Sequence, residues 1–253
     1  PTNSDNIEHI WVIPYDEVLG EGMNIAQMTL HYPSQLTFRL QEQPWNGYAA
    51  LEEFYNSYED DDERRANNFL VGPQLDTQGD PILDLSFEGS RDASGAAVVY
   101  TPRINELAPL ALRDAGARLF KFNFKMDQLN NMDNDFPIFR YGDVLLMKAE
   151  AKARLNNNWN DEEVLMLVNM VRTRAGVAPF ISITADDFLT ERGREMFMEN
   201  YRRQDLIRFG AWGDPWWEKQ AHSNPNLRFF PIPLESINAA ATGTFNLTQN
   251  PGY

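Results

Sequence analysis

The 253-residue sequence contains no cysteine. That excludes disulfide scaffolds, thiolate-held zinc or iron–sulfur centres and thiol nucleophiles. Its 3 histidines, His9, His31 and His222, lie far apart, and none has a second ligand at helical spacing, so a histidine-based metal centre has no support. No run of about 18 apolar residues occurs, so nothing reads as a membrane-spanning helix. There is no secretory signal and no initiator methionine, the chain opening Pro1-Thr2-Asn3-Ser4. It reads as a processed or trimmed piece whose export signal or lipid anchor lies outside it. Basic charge is scarce: 22 Lys+Arg stand against 37 Asp+Glu, a net charge of −15. So acidic a surface repels phosphate backbones and anionic headgroups, which argues against nucleic acid and against a basic membrane patch. Neutral partners such as sugars lose nothing by it.

Several chemistries lack their motifs. Gly20-Glu21-Gly22 has no third glycine and no strand–turn–helix setting, and no phosphate-binding loop of the Walker type exists. No serine sits in a Gly-x-Ser-x-Gly elbow. Asp133-Asn134-Asp135 and the acidic run Glu59-Asp60-Asp61-Asp62-Glu63 could donate oxygens to calcium. Neither follows the EF-hand pattern, and both read as solvated acidic loops. No cofactor is expected, and structural calcium is left open.

What is present divides by texture. Residues 1–138 are rich in Gly, Pro, Asn and aromatic side chains and read as a loop-rich, ligand-facing part. Ile10-Trp11-Val12-Ile13 and the stretch from Leu119 to Phe124 have the composition of strands. Asn46-Gly47, Gly72-Pro73 and Asp80-Pro81 mark turns and breaks, and Leu51 to Tyr58 suits two helical turns. Residues 139–253 read as a helical part, the two forming one structural unit. A first helix is expected from about Arg140 to Leu155, with Ala149, Ala151 and Ala153 admitting a close partner. A second begins with Asn160 as N-cap and Glu163 at N3, carries Val164, Leu167, Val168 and Val171 on one face, and stops at Gly176. A third begins at Thr184, with Asp186 and Asp187 in its first turn, favourable to the helix dipole. The short Asn-rich link predicts an antiparallel helix hairpin of the tetratricopeptide kind, although no 34-residue repeat is found. After Gly210 the chain returns to loop, with Arg228 to Pro233 extended.

Two constellations bear on function. Glu191, Glu195 and Glu199 recur at i, i+4 and i+8 among Arg192, Arg194, Arg202 and Arg203. Paired carboxylates are what a glycosidase needs. An ion-pair ladder along the helix, or buried pairs that fix helix docking, accounts for them better. Pro44-Trp45-Asn46-Gly47-Tyr48 puts two large rings around a tight turn. Pyranose C–H faces pack on Trp and Tyr, and Asn beside them can satisfy hydroxyls. Trp45, Asn46 and Tyr48 are thus either a sugar platform or anchors of the loop on the core. Trp212, Trp216 and Trp217, directly after the helical part, read as packing. The triplet Asn246-Leu247-Thr248 matches a glycosylation sequon and carries no weight.

The stretch Phe139-Arg140-Tyr141-Gly142-Asp143-Val144-Leu145-Leu146-Met147-Lys148-Ala149-Glu150-Ala151 resembles the signature helix of SusD/RagB-type proteins. Val168 to Gly176, Glu191 to Glu195, Arg202 to Gly210, Phe230-Pro231-Ile232-Pro233 and the closing Gln249-Asn250-Pro251-Gly252-Tyr253 follow in that family's order. The resemblance is densest over 139–253. It implies a mostly α protein of SusD-like fold, with tetratricopeptide-like hairpins and a long loop-rich layer containing a few short strands. It also implies a non-catalytic lipoprotein on the outer-membrane surface of Bacteroidetes-type bacteria. Such a protein binds oligosaccharide or polysaccharide and serves a SusC-like TonB-dependent transporter in polysaccharide utilisation, meeting the membrane only through an anchor outside this chain. Family sugar sites draw an aromatic arc from variable loops, which brings Trp45, Asn46 and Tyr48 forward. Two departures stand out: Gly193 interrupts the usual arginine run, and the family's N-terminal half is missing. RagB-like peptide capture, a helical glycoside hydrolase and a purely protein-binding scaffold are the alternatives.

Overall fold

The computed structural model describes residues 6–85, 94–243 and 245–253; the opening Pro1-Thr2-Asn3-Ser4 lies outside them. The chain divides into two compact units, Pro1–Arg202 and Arg203–Tyr253.

In the first unit the helical centre is the hairpin of α5 (Tyr141–Asn156) and α6 (Glu162–Arg174). α5 ends where Asn157 turns left-handed (φ 47°) and its N–H reaches back to the last turn, with Asn158 N–H on the Ala153 carbonyl at 2.9 Å. α6 is capped by Asp161, whose side chain accepts from Glu163 N–H at 3.0 Å. The expected cap, Asn160, does a different job: its amide brackets the Ile183 backbone, accepting at 2.8 Å and donating at 3.2 Å. That bond holds the entry to α7 (Ala185–Glu195), which opens with a Thr184–Asp187 capping box. Val164, Leu167, Val168 and Val171 are buried, as the spacing predicts. Ala149 and Ala153 are buried too, whereas Ala151 lies on the opposite, exposed face of α5.

The loop-rich layer carries little regular structure. β1 (His9–Ile13) pairs antiparallel with β6 (Phe136–Arg140), so residues near the start lie beside the signature helix. β2 (Phe69–Leu70) pairs with β5 (Arg118–Leu119), and β3 (Gly72–Pro73) with β4 (Val99–Tyr100). The strand expected over Leu119 to Phe124 ends at Leu119, because its partner is two residues long. Phe122 and Phe124 beyond it are buried all the same, so the alternation of that stretch reports burial more than pairing. Short helices fill the rest: α1 (Ile25–Thr29), α2 (Gln35–Phe38), α3 (Glu52–Tyr55) and α4 (Glu63–Asn68). α3 is one turn where two were expected. Two apolar clusters lie in this layer among the described residues. One joins Met23, Ala26, Leu30, Leu40, Ile82, Val98, Tyr100, Phe122, Phe124 and Met132. The other joins Ala50, Tyr55, Tyr58, Phe69 and Ala117, with Phe54 and Phe197 against it.

The second unit opens with α8 (Arg202–Phe209). Trp212 and Trp216 meet edge-on at 6.2 Å, the Arg203 guanidinium lies 5.0 Å from the Trp212 ring, and Lys219 lies 3.9 Å from Trp216. Of the expected extended segment, Arg228 closes a 3-10 turn (Pro225–Arg228) and Phe229 is extended, and α9 (Leu234–Ala241) follows the prolines. The Gln249 amide donates to and accepts from the Ile232 backbone at 2.9 and 2.7 Å, and Asn250 donates to the Phe230 carbonyl at 2.7 Å. The closing motif and the Phe-Pro-Ile-Pro segment are therefore partners. The prolines have no N–H to offer a strand, and the Gln249 amide supplies the pairing that a neighbouring strand would give.

Candidate functional site

The carboxylates of the third predicted helix come first, since an enzyme would need them. Glu191 and Glu195 lie on α7 and Glu199 just beyond it, all three buried. Their partners are mostly not on that helix. Glu191 is held by Arg64 of α4 (2.8 Å), Arg172 of α6 (3.0 Å) and Arg194 (2.6 Å). Glu195 is held by Arg64 (3.1 Å), Arg140 (2.6 Å) and Arg174. Glu199 takes Arg140 at 2.7 Å and Lys121. Buried Arg–Glu pairs that fix helix docking, the second of the two expected readings, thus account for these glutamates; Glu191–Arg194 is a pair along the helix, and Arg192 reaches Asp143 of α5 at 2.8 Å. Arg202 donates to the Leu189 carbonyl and lies over Gly193, where an added Cβ would stand 2.8 Å from its Nη1. The glycine in the arginine run is the space this guanidinium occupies.

Burial pushes the Glu191 and Glu195 carboxyls up, but the surrounding guanidinium groups more than reverse it, and both end below the usual range. A general acid needs the opposite shift. The network joins α4, the start of α5, α6 and α7 into one docked assembly.

In the acidic run at 59–63, Glu59, Asp60, Asp61 and Glu63 are exposed as expected of a solvated loop, and Asp62 is the buried exception. Asp62 is buried, caps α4 and pairs with Arg64 at 2.7 Å, Glu59 pairs with Arg172 at 2.6 Å, and Asp60 with Arg65 at 2.6 Å. Asp133 and Glu17 share Lys125 at 2.7 and 2.9 Å. His31 is buried against Asp84 at 3.2 Å. Among the described residues no group of three or more His, Asp or Glu could hold a metal ion.

The aromatic loop is built from α1 outward. A helix leaves its last carbonyls without partners, and here the loop supplies them. Trp45 N–H donates to the Gln27 carbonyl (2.6 Å), Gly47 and Tyr48 N–H to that of Met28 (both 2.7 Å), and Asn46 N–H to that of Leu30 (3.0 Å). Thr29 Oγ1 donates to the Tyr48 carbonyl (2.8 Å) and accepts from Leu119 N–H (2.9 Å). Ala50 N–H then donates to the Ala117 carbonyl at 2.9 Å, closing the loop onto the sheet layer. Asn46 takes φ 56°, a conformation Asn tolerates better than most residues. At Gly47 a Cβ would stand 3.0 Å from the Met28 carbonyl oxygen, a tight approach that glycine relieves.

With the backbone doing the anchoring, the rings are left out: Trp45 is 49% and Tyr48 52% exposed. Asn46 is half-buried between them, with its Oδ1 shielded from solvent and unpartnered among the described residues. Pro44 is the buried member of the group.

The fingerprint stretches now have physical roles: Arg140, Asp143, Arg172, Glu191, Arg192 and Glu195 are the ion-pair network itself. In keeping with this, residues 113–227 match the SusD family profile. Over that stretch the chain resembles SusD/RagB-type proteins. It is 30% identical over 130 residues to the starch-binding protein SusD of Bacteroides thetaiotaomicron, covering 48% of this chain and 22% of that protein. A SusD-like protein of Bacteroides ovatus is 37% identical over 83 residues, covering 33% and 15%. Among solved structures, surface glycan-binding protein A of B. thetaiotaomicron superposes with a TM-score of 0.67 at 22% identity, over 99% of this chain and 53% of that one. The same protein in complex with laminarihexaose gives 0.66 at 22% identity, over 97% and 52%. At such identity the likeness concerns the fold, which is SusD-like and mostly helical. The chain spans about half the length of those solved neighbours and less of the curated relatives.

Sequence reasoning singled out the glutamates but missed Arg64 and Lys121, which approach from 127 and 78 residues away. No local pattern marks them, because they are brought there by the fold.

Proposed function

We propose that this SusD-like chain binds oligosaccharides without transforming them, at a platform formed by Trp45, Asn46 and Tyr48. It would do so at the bacterial cell surface, as a lipid-anchored outer-membrane component that passes cargo to a SusC-like TonB-dependent transporter. The observation that carries this reading is the division of labour in the 44–48 loop, whose backbone is tied to α1 while both rings stay half exposed. Relatives named as starch-binding and as a surface glycan-binding protein support the cargo class. The non-catalytic reading is supported by the α7 carboxylates: Glu191 and Glu195 are held ionised by arginines, and neither suits an acid catalyst. No helix among the described residues is long and apolar enough to cross a membrane.

Covering roughly 60 Å² of apolar ring face contributes about 1.5 kcal/mol at about 25 cal/mol per Å². Two rings give about 3 kcal/mol, set against the several kcal/mol that association costs. A weak site results unless hydroxyl hydrogen bonds add to it. Calorimetric titration against a panel of soluble oligosaccharides and peptides tests the reading. One glycan class should bind, and Trp45→Ala should weaken it about tenfold, the equivalent of about 1.4 kcal/mol. Sugar binding that Trp45→Ala leaves untouched removes the platform.

Peptide cargo is the second reading, and one feature favours it. Ile104 packs beside Gly116 and Ala49, next to Tyr48, and the loop that continues from it exposes Leu107, Leu110 and Leu112. Heat from apolar peptides and none from sugars would select that reading.

A further inference from the structure

Asn46-Gly47 is the one Asn-Gly pair in the sequence, and such a pair carries a reaction within itself. The glycine nitrogen, once deprotonated, attacks the asparagine Cγ, ammonia leaves and a succinimide ring closes. Water then opens the ring to aspartate, or to isoaspartate, in which the main chain runs through the side-chain carboxyl. Glycine favours the attack because it has no Cβ to obstruct it and moves freely in φ and ψ. In the folded loop the contacts that anchor the rings also hold this reaction back. Gly47 N–H, which carries the proton that must be lost, donates to the Met28 carbonyl at 2.7 Å, tying the nitrogen to α1. Trp45, Asn46 and Tyr48 N–H are tied alike, to the carbonyls of Gln27, Leu30 and Met28. Asn46 Oδ1, where negative charge develops as Cγ is attacked, is closed to solvent and has no donor among the described residues to stabilise it. Gly47 itself is exposed, so the pair meets water as soon as the loop lifts from α1.

We infer that Asn46–Gly47 is a latent self-modification site, kept shut by the bonds between α1 and residues 45–48 and released when that loop opens. The overall change is amide plus water to carboxylate plus ammonium, with no oxidant, reductant or second enzyme required. Chemistry of an opened state follows the population of that state when opening and closing are fast. Opening gives up 4 main-chain hydrogen bonds. Each is worth about a factor of two or more, so the folded chain reacts at least about tenfold more slowly than the unfolded one. Both products put a negative charge between the Trp45 and Tyr48 rings. Isoaspartate also adds a methylene to the main chain, so that Gly47 and Tyr48 N–H no longer share the Met28 carbonyl. The site stands on the loop geometry alone, and only its effect on sugar binding rests on the glycan reading above.

Peptide mapping by mass spectrometry tests this on the folded chain, on the chain held unfolded in urea, and on folded Thr29→Val, all incubated at mildly alkaline pH. Thr29→Val removes the Oγ1 bond to the Tyr48 carbonyl and leaves the Asn-Gly pair intact. Melting curves check its fold, and the first comparison decides alone if it does not fold. In urea Asn46 should convert fastest of the asparagines. In the folded chain it should convert at least about tenfold more slowly, and in folded Thr29→Val about three- to tenfold faster than in the folded parent. Equal rates folded and unfolded, no conversion in urea, or a folded rate indifferent to Thr29→Val overturns the inference. Calorimetry of the converted, refolded chain against soluble oligosaccharides separates this from the glycan reading. Binding lost on conversion supports both. Binding kept, or absent from the start, with the rates as expected, leaves the modification site standing and removes the platform.

Discussion

Replacing Arg140 with Met removes the most connected cation of the buried network while keeping a side chain of similar length. The Arg140 side chain is 8% exposed and donates to Glu8 at 2.7 Å, to Glu195 at 2.6 Å and to Glu199 at 2.7 and 2.9 Å. Another hydrogen bond, at 2.7 Å, goes to the Glu195 main-chain carbonyl. Removing one member of a buried ion pair costs about 3–5 kcal/mol, because the partner is left charged and desolvated. Here the partners are not wholly abandoned. Glu195 keeps Arg64 and Arg174, and Glu199 keeps Lys121. The loss therefore belongs inside that range and not at the sum of four contacts. For a chain of this size each kcal/mol moves the melting point about 2–4 °C, so a fall of about 6–20 °C is expected. Urea denaturation followed by circular dichroism gives the free energy directly. Arg140→Lys should recover only part of it, since an ammonium cannot reproduce the fork that binds three carboxylates and a carbonyl at once. A loss below about 1 kcal/mol for Arg140→Met would refute the reasoning, showing that the network is solvated in solution.

Acid should unfold the protein through the same groups. Glu8, Glu191 and Glu195 titrate below the unfolded value of 4.5, so the unfolded chain takes up protons first. Their contribution is complete above about pH 4.5 and drains as pH falls below it, which acid titration of the melting point will read. His31 behaves as a buried neutral ring: burial outweighs the attraction of Asp84 and lowers its pKa from 6.5 to about 4. Stability should therefore decline between pH 6.5 and 4 on its account, and the NMR resonances of its ring should remain those of neutral imidazole at pH 6. Gly47→Ala should cost about 1–3 kcal/mol by forcing the loop off the Met28 carbonyl, seen as a lower urea midpoint. Trp45→Ala should cost less than about 1 kcal/mol by the same measure, because the ring is half exposed.

The helical half was legible because its signals are local. Val164, Leu167, Val168 and Val171 fall on one face whatever the rest of the chain does, and Thr184 with Asp187 makes a cap from four consecutive residues. Where signals were non-local, reading failed in consistent ways. For Glu191, Glu195 and Glu199 the docking-pair reading holds and the ladder does not, but the partners Arg64, Arg140 and Arg172, from other segments, could not be named from helical spacing. The Phe120-Phe122-Phe124 alternation looked like a strand because burial and pairing leave the same period-two trace. α9 was hidden by Pro231 and Pro233, which argue for extended chain, although Pro233 serves as its N-cap. At the aromatic loop, composition named Trp45, Asn46 and Tyr48 but could not say which way the rings faced. That depended on α1 offering three carbonyls to the loop's N–H groups.

Bonds between N–H groups and carbonyls are indifferent to the side chains that ride on them. Because Gln27, Met28 and Leu30 grip residues 45–48 by main chain alone, positions 45 and 48 can be exchanged for other residues without unseating the loop. The restrictions fall instead on Gly47, for space, and on Asn46, for its left-handed φ. A library randomised at 45 and 48 should therefore stay folded while its cargo spectrum drifts, and diversification by point substitution needs no insertion, deletion or redesign of the surrounding architecture.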